Sequence, residues 1–391
     1  MSATEILSDF ANKIEFDDLS LEAVTNTKRH ILDCIGVGLA ATVEPAGRTI
    51  IDITREQGGN PKASVFGTNL RTGVVSTAWA NGALSHLLDF DDTGFSHPTA
   101  CILPAATAIA EETSASGKEL VAAVCVGLEV FERMSSSGRQ HEHVFRARGF
   151  HPTSLYGCSA AAAAAGKIAR LEPTQMAVAI GLAAANAGGL TQHFGTPGKG
   201  IHAGNAARAG VTSVLLARKG YVADPEGLEG DYGFYSAFHG DGNYTLDNIS
   251  AGLGTNWSIV DPGLTIKRYP CCGGNLRALD AARELIEENN ISLLLCLLIF
   301  VTSPALHALT ARLDSLKARS FGLFLSFLYM ISLYEVTLGN YYFILPSILF
   351  IYITFISSSF SMQFCIFSTI ILAFIYLDIF ILIPLLGLLI I

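Results

Sequence analysis

Two His-Pro pairs stand out as residues able to carry chemistry. His97-Pro98-Thr99 and His151-Pro152-Thr153-Ser154 each lead into a helix-forming stretch, the first around Pro104 and the second straight into an alanine-rich run. Proline suits the first helical turn and holds its predecessor extended, so each imidazole is expected at or just before a helix N-terminus. Unpaired N–H groups and the helix dipole favour an anion there, and a carboxylate substrate would be at home. Two lysines add positive charge: Lys199 in the glycine-rich turn Gly195-Thr196-Pro197-Gly198-Lys199-Gly200, and Lys267 beside Arg268 before Tyr269-Pro270. The turn lacks the glycine and Ser/Thr positions of a phosphate loop, so Lys199 reads instead as a lysine able to approach a ligand closely.

The segment His86-Leu87-Leu88-Asp89-Phe90-Asp91-Asp92-Thr93 sets three carboxylates at the end of a helix, the unfavourable end for negative charge. Either a divalent metal compensates them, which would call for a second acidic motif that the sequence does not contain, or neighbouring Lys and His side chains do. His141-Glu142-His143, with His151 as a third ligand, is a weaker metal candidate, because its flanks read as a polar loop.

Behind these residues stand elements that must position them. Helical spacing of apolar residues predicts a helix from about 20 to 41, closed by Pro45, and further helices near 76–90, 104–112, 118–134, 153–169, 174–187 and 202–218. A short β signal falls at Ala63-Ser64-Val65-Phe66. The runs Ala160–Ala164 and Ala177–Ala187 have little polar face, as in helices buried on all sides. Near Leu264-Thr265-Ile266-Lys267 the pattern changes to a short strand, followed by an amphipathic helix from about 275 to 288. The expected fold is therefore mainly α: a large all-helical domain over residues 1–266, then a smaller α/β unit from 267 to 391.

Bulk composition narrows the function. The chain has 391 residues, a formal net charge of −9, 50% hydrophobic residues, 15% charged residues and a mean hydropathy of +0.43. An acidic chain without a Lys/Arg cluster argues against nucleic-acid binding. Eight cysteines without a CxxC pair fit neither a disulfide framework nor a zinc site, and a reducing cytosol is the plain reading. No secretory or Arg-rich transit signal is legible at the N-terminus, although a mitochondrial location stays open. From about residue 293 the character changes, since Arg312, Asp314, Lys317, Arg319, Glu335 and Asp378 are the charged residues that remain.

These segments, in this order, resemble the MmgE/PrpD family, which includes 2-methylcitrate dehydratases and cis-aconitate decarboxylases. The residues carrying the resemblance are Ile31–Gly36, Leu88–Thr93 with His97-Pro98, Gly149–Pro152, the Lys199 loop with His202-Ala203-Gly204-Asn205-Ala206-Ala207, and Lys267–Pro270. The resemblance implies a lyase with no metal or cofactor, usually a homodimer, in which a helical domain and an α/β lid enclose a di- or tricarboxylate. Carried over by position, the pocket comprises Asp89, Thr93, His97, His151, Lys199 and Lys267, with His202 and Arg268 as further substrate contacts. One of the histidines His97 and His151 would move the proton and the lysines would clamp carboxylates. The lid is expected to be disrupted here: Phe364 stands where the resemblance places a tyrosine, and the sequence around it lacks lid patterning. Two other readings follow from that tail: a catalytically impaired family member, and a form anchored in a membrane by residues 364–391 and a stretch near 343–355.

Overall fold

The structure is a computed structural model that describes residues 1–139, 144 and 147–289. The expectations for His141-Glu142-His143, Phe364, the disrupted lid and the two apolar spans lie outside these residues. Among the described residues no helix is long and apolar enough to cross a membrane. A division between Gly273 and Gly274 separates two units.

The first unit is helical. Its helices are α1 (Ala3–Lys13), α2 (Leu21–Ala41), α3 (Pro45–Gln57), α4 (Val74–Leu87), α5 (Thr99–Thr113), α6 (Gly117–Arg139), α7 (Pro152–Ile168), α8 (Pro173–Ala184), α9 (Gly198–Arg218) and the short α10 (Phe234–His239). One two-stranded antiparallel sheet, β1 (Ala63–Ser64) with β2 (Arg71–Thr72), pairs Ala63 with Thr72 and Ser64 with Arg71. In the second unit, α11 runs from Leu276 to Asn289, close to the helix read from the sequence, and carries an Arg283–Glu287 ion pair at 2.7 Å.

Helix α7 is the centre of the first unit, with α5, α6, α8 and α9 packed around it. Every residue from Pro152 to Gly166 is buried, and Ala160 to Ala165 are fully so, as an all-apolar helix without a polar stripe requires. Small residues let its neighbours approach closely. The same device operates between α4 and α9, where a Cβ built on Gly204 would lie 2.5 Å from the carbonyl oxygen of Trp79. Gly204→Ala is therefore expected to destabilise the protein by about 1–3 kcal/mol through forced separation of the helices. Gly36→Ala, where an added Cβ meets nothing within 4 Å, serves as the control that leaves stability unchanged or raised. Urea unfolding of both variants checks the pair.

Several elements depart from the expectations. Helix α1 starts on a Ser2 cap whose hydroxyl accepts from the Glu5 N–H while the Glu5 carboxylate accepts from the Ser2 N–H, a capping box written plainly in Ser-Ala-Thr-Glu. Pro45 opens α3 at its first turn instead of merely closing α2. Helix α5 begins directly after Pro98 and carries Pro104 inside it. No strand forms at 264–267: Thr265 makes a single bridge to Thr93, and the chain turns at once at Gly94, whose N–H donates to the Ser96 carbonyl.

Candidate active site

Asp89 is the hub. Leu88 caps α4, and Asp89 follows in the left-handed region at φ 49°, a conformation that aspartate tolerates better than bulkier residues. The turn brings its carboxylate between two lysines. Lys199 Nζ lies 2.8 Å from one Asp89 oxygen, and Lys267 Nζ lies 2.7 Å from the other while also donating to the Asp89 carbonyl at 2.7 Å. The Lys267 side chain is wholly buried and that of Lys199 nearly so. Burial alone would push the Asp89 carboxyl up, but Lys199 and Lys267 more than reverse this and hold it far below the usual carboxylate range. Lys199 stands in the first turn of α9, not in a loop, because the helix starts at Gly198, four residues earlier than the sequence reading placed it.

His97 adjoins this trio. Its Nδ1 lies 2.9 Å from the Asp92 carbonyl oxygen, which can only accept, so Nδ1 carries the proton and donates. The neutral ring therefore keeps its lone pair on Nε2, 3.5 Å from Lys199 Nζ and 3.7 Å from an Asp89 oxygen. Burial first, and Lys199 second, hold His97 well below the ordinary imidazole range, so the ring is neutral at pH 7. His151 caps α7 as its His-Pro pair foretold, and its N–H donates to the Gly189 carbonyl. Its Nδ1 meets Nδ1 of His202 at 3.0 Å, so one of these two neutral rings donates and the other accepts. Burial drives His151 well below its ordinary value and His202 to about 4. Phe194 packs edge-on against His151, and Lys199 Nζ sits 5.2 Å over the Phe194 ring.

The compensation of the three carboxylates is now explicit. Asp89 has its lysines, Asp91 accepts from Nδ1 of His86 at 2.8 Å, and Asp92 accepts from Nδ1 of His30 at 2.8 Å and from the Thr99 hydroxyl. His86, Asp91 and His97 bring potential metal-ligand atoms within 4.8 Å of one another, all buried. His86 and His97 donate through Nδ1, to Asp91 and to the Asp92 carbonyl, which leaves the Nε2 lone pairs as what these rings could offer a metal.

Matching against family models decides the kinship: residues 5–247 match the MmgE/PrpD N-terminal domain. The chain belongs to the MmgE/PrpD family. It is 29% identical over 291 residues to the cis-aconitate decarboxylase of Homo sapiens, covering 73% of this chain and 60% of that protein. To the cis-aconitate decarboxylase of Aspergillus terreus it is 28% identical over 310 residues, covering 74% of this chain and 62% of that protein. The chain thus spans about three-fifths of the length of these curated relatives.

Of the residues singled out from the sequence, Asp89, His97, Lys199 and Lys267 form one network, and His151 and His202 join it ring to ring. Thr93 is held beside it by the backbone bridge to Thr265, with its side chain facing Gly273. Arg268 lies exposed, while its neighbour Lys267 is buried. His86 and His30 were not singled out. Their signal was available for His86, which opens the acidic segment three residues before Asp89, but not for His30, which pairs with Asp92 across 62 residues. Two hollows of about 310 and 450 Å³ lie along the 259–266 segment, one beside Phe95 and Phe131 and one beside Asn26, Arg29 and His30. Neither is lined by Asp89, His97, His151, Lys199 or Lys267.

Proposed function

We propose that this chain acts as a lyase on a small di- or tricarboxylate, by decarboxylation or dehydration. The observation that carries this reading is the Asp89 carboxylate gripped by Lys199 and Lys267 next to the bare Nε2 of His97. Two ammonium groups face one internal carboxylate, which leaves an excess positive charge in a buried place where an ion pair is only weakly screened. A carboxylate of the ligand would supply the second negative charge.

The lysines then orient the acid and stabilise charge that develops on it during the reaction. In dehydration, a base takes a proton from carbon as the hydroxyl leaves with another proton. In decarboxylation, the electron pair of the broken C–C bond shifts through the neighbouring double bond, and a proton is placed on its far carbon. Dehydration needs a base, for which the neutral imidazoles of His97 and His151 have the lone pair, and decarboxylation needs an acid, for which the Lys199 ammonium 3.5 Å from His97 Nε2 supplies the proton, directly or through that ring. Lys199, within reach of His97 Nε2, gives that proton a path. Since the named relatives are cis-aconitate decarboxylases, cis-aconitate is the first acid to test. We extend the proposal to a homodimeric assembly and to a protein without metal or cofactor.

The purified full chain is expected to convert cis-aconitate to itaconate, or 2-methylcitrate to 2-methyl-cis-aconitate, as read by mass spectrometry in the presence of a chelator. Absence of either product, at enzyme concentrations comparable to the substrate, would sink the lyase reading and leave the impaired-member reading in its place.

A further inference from the structure

Three imidazoles meet in the interior, and the middle one has no place in the reaction described above. The His86 ring centroid lies 4.7 Å from that of His97 and 5.6 Å from that of His151, and it stacks on His151 at 20°. His97 and His151 are farther from each other, at 6.4 Å. The side chain of His86 is fully buried, its Nδ1 donates to Asp91 at 2.8 Å, and its Nε2 has no hydrogen-bond partner among the described residues. Asp91, equally buried, also stands 3.7 Å from Nδ1 of His97.

We propose that His86, aimed by its hydrogen bond to Asp91, is a positioning residue that fixes the ring planes of His97 and His151 against the Asp89–lysine trio. The inference rests on the lyase reading of this site, because it assigns His86 to the two proton-carrying rings. Geometry carries it. Asp91 locks His86 at one edge, and His151 stacks on that ring at an interplanar angle of 20°. A ring displaced by ~1 Å can cost ~100-fold in rate, so a buried support for both imidazoles has a kinetic consequence.

His86 also acts through charge. The groups around the three rings are Asp89, Asp91 and Asp92 after α4, His97 before α5, His151 at the cap of α7, His193 in the turn before α9, Lys199 and His202 on α9, Lys267, and His30 of α2 through Asp92. Any positive charge shared by His86 and its neighbours discourages another on His97 or His151, which reinforces what burial already does. Without His86, Asp91 would face His97 alone, and His97 would protonate more easily.

The test uses His86→Asn, whose amide keeps a donor in the position of Nδ1 but lacks the outer half of the ring. His86→Gln serves as a second variant should the first not fold. The expected result is a fall in kcat of about ten- to a hundredfold with KM within about twofold, and an acid limb of kcat/KM moved to higher pH. Independently of any substrate, the ¹⁵N imidazole signals of His97 and His151 are expected to titrate at higher pH in the variant than in the parent chain. A purely structural His86 would lower the melting temperature and leave both titrations in place, and that result would overturn the proposal. Should the parent chain turn over none of the citrate-like acids, the lyase reading fails. The imidazole titrations still decide for or against His86.

Discussion

Replacing His97 with Asn is expected to lower kcat/KM by about a thousandfold, within the ~10²–10⁴ that a positioned acid or base contributes. The asparagine amide can donate to the Asp92 carbonyl as Nδ1 does now, so the turn before α5 should survive. What disappears is Nε2, the atom that faces Lys199 and Asp89. Because Lys199 and Lys267 still hold the substrate carboxylate, KM should change little, and the loss should fall on kcat.

The pH profile tests the same assignment in the parent chain. A base works when deprotonated, and the folded pKa of His97 is depressed. The acid limb is therefore expected below the ordinary histidine value near 6.5, with a flat rate through neutrality. Lys199→Met removes the cation that, after burial, does most to depress His97, and should move that limb to higher pH. Activity of His97→Asn above about a tenth of the parent value would remove His97 from the proton-transfer step.

What the sequence disclosed about this site followed from local rules. His151-Pro152 predicted a capping histidine, and the structure places His151 at that cap because proline at the first helical position forces its predecessor to be extended. The alanine run of α7 predicted burial on all sides for the same local reason. Pro45 shows how one signal can serve two elements, since a residue that cannot continue a helix is well suited to begin the next. The strand read at 264–267 failed because β structure depends on a partner, and here Gly94 turns the partner away after one pair.

The site was legible as a list of residue types and not as a set of pairs. Three carboxylates at a helix end announced that compensation was needed, but which partner served which aspartate depended on contacts that reach as far as 178 residues along the chain. Lys199 and Lys267 reach Asp89 from distant parts of the chain, and His30 reaches Asp92 from α2. Nothing periodic in the sequence encodes such pairings. His86 was passed over because a histidine followed by three aspartates draws the eye to the acids.

Removing the hub should have the largest structural effect. Asp89→Ala leaves the Lys199 and Lys267 ammonium groups buried side by side without their carboxylate, and an unpaired buried charge of this kind costs about 3–5 kcal/mol. The sign of the pH dependence is fixed by the depressed Asp89 pKa. The contribution is fully present above the unfolded-state value near 4 and is lost as pH falls below it, so the parent and variant stabilities should converge in acid. Small carboxylates should also restore the variant. Citrate or acetate seated between the lysines would stabilise the folded chain by mass action, about 2.7 kcal/mol at a hundredfold excess over Kd, whereas chloride at equal ionic strength should do far less. Thermal melts of Asp89→Ala with each salt measure this directly. Equal recovery with chloride would mean that the lysines are merely screened, whereas selective recovery by carboxylates would show that the place now held by Asp89 receives a carboxylate.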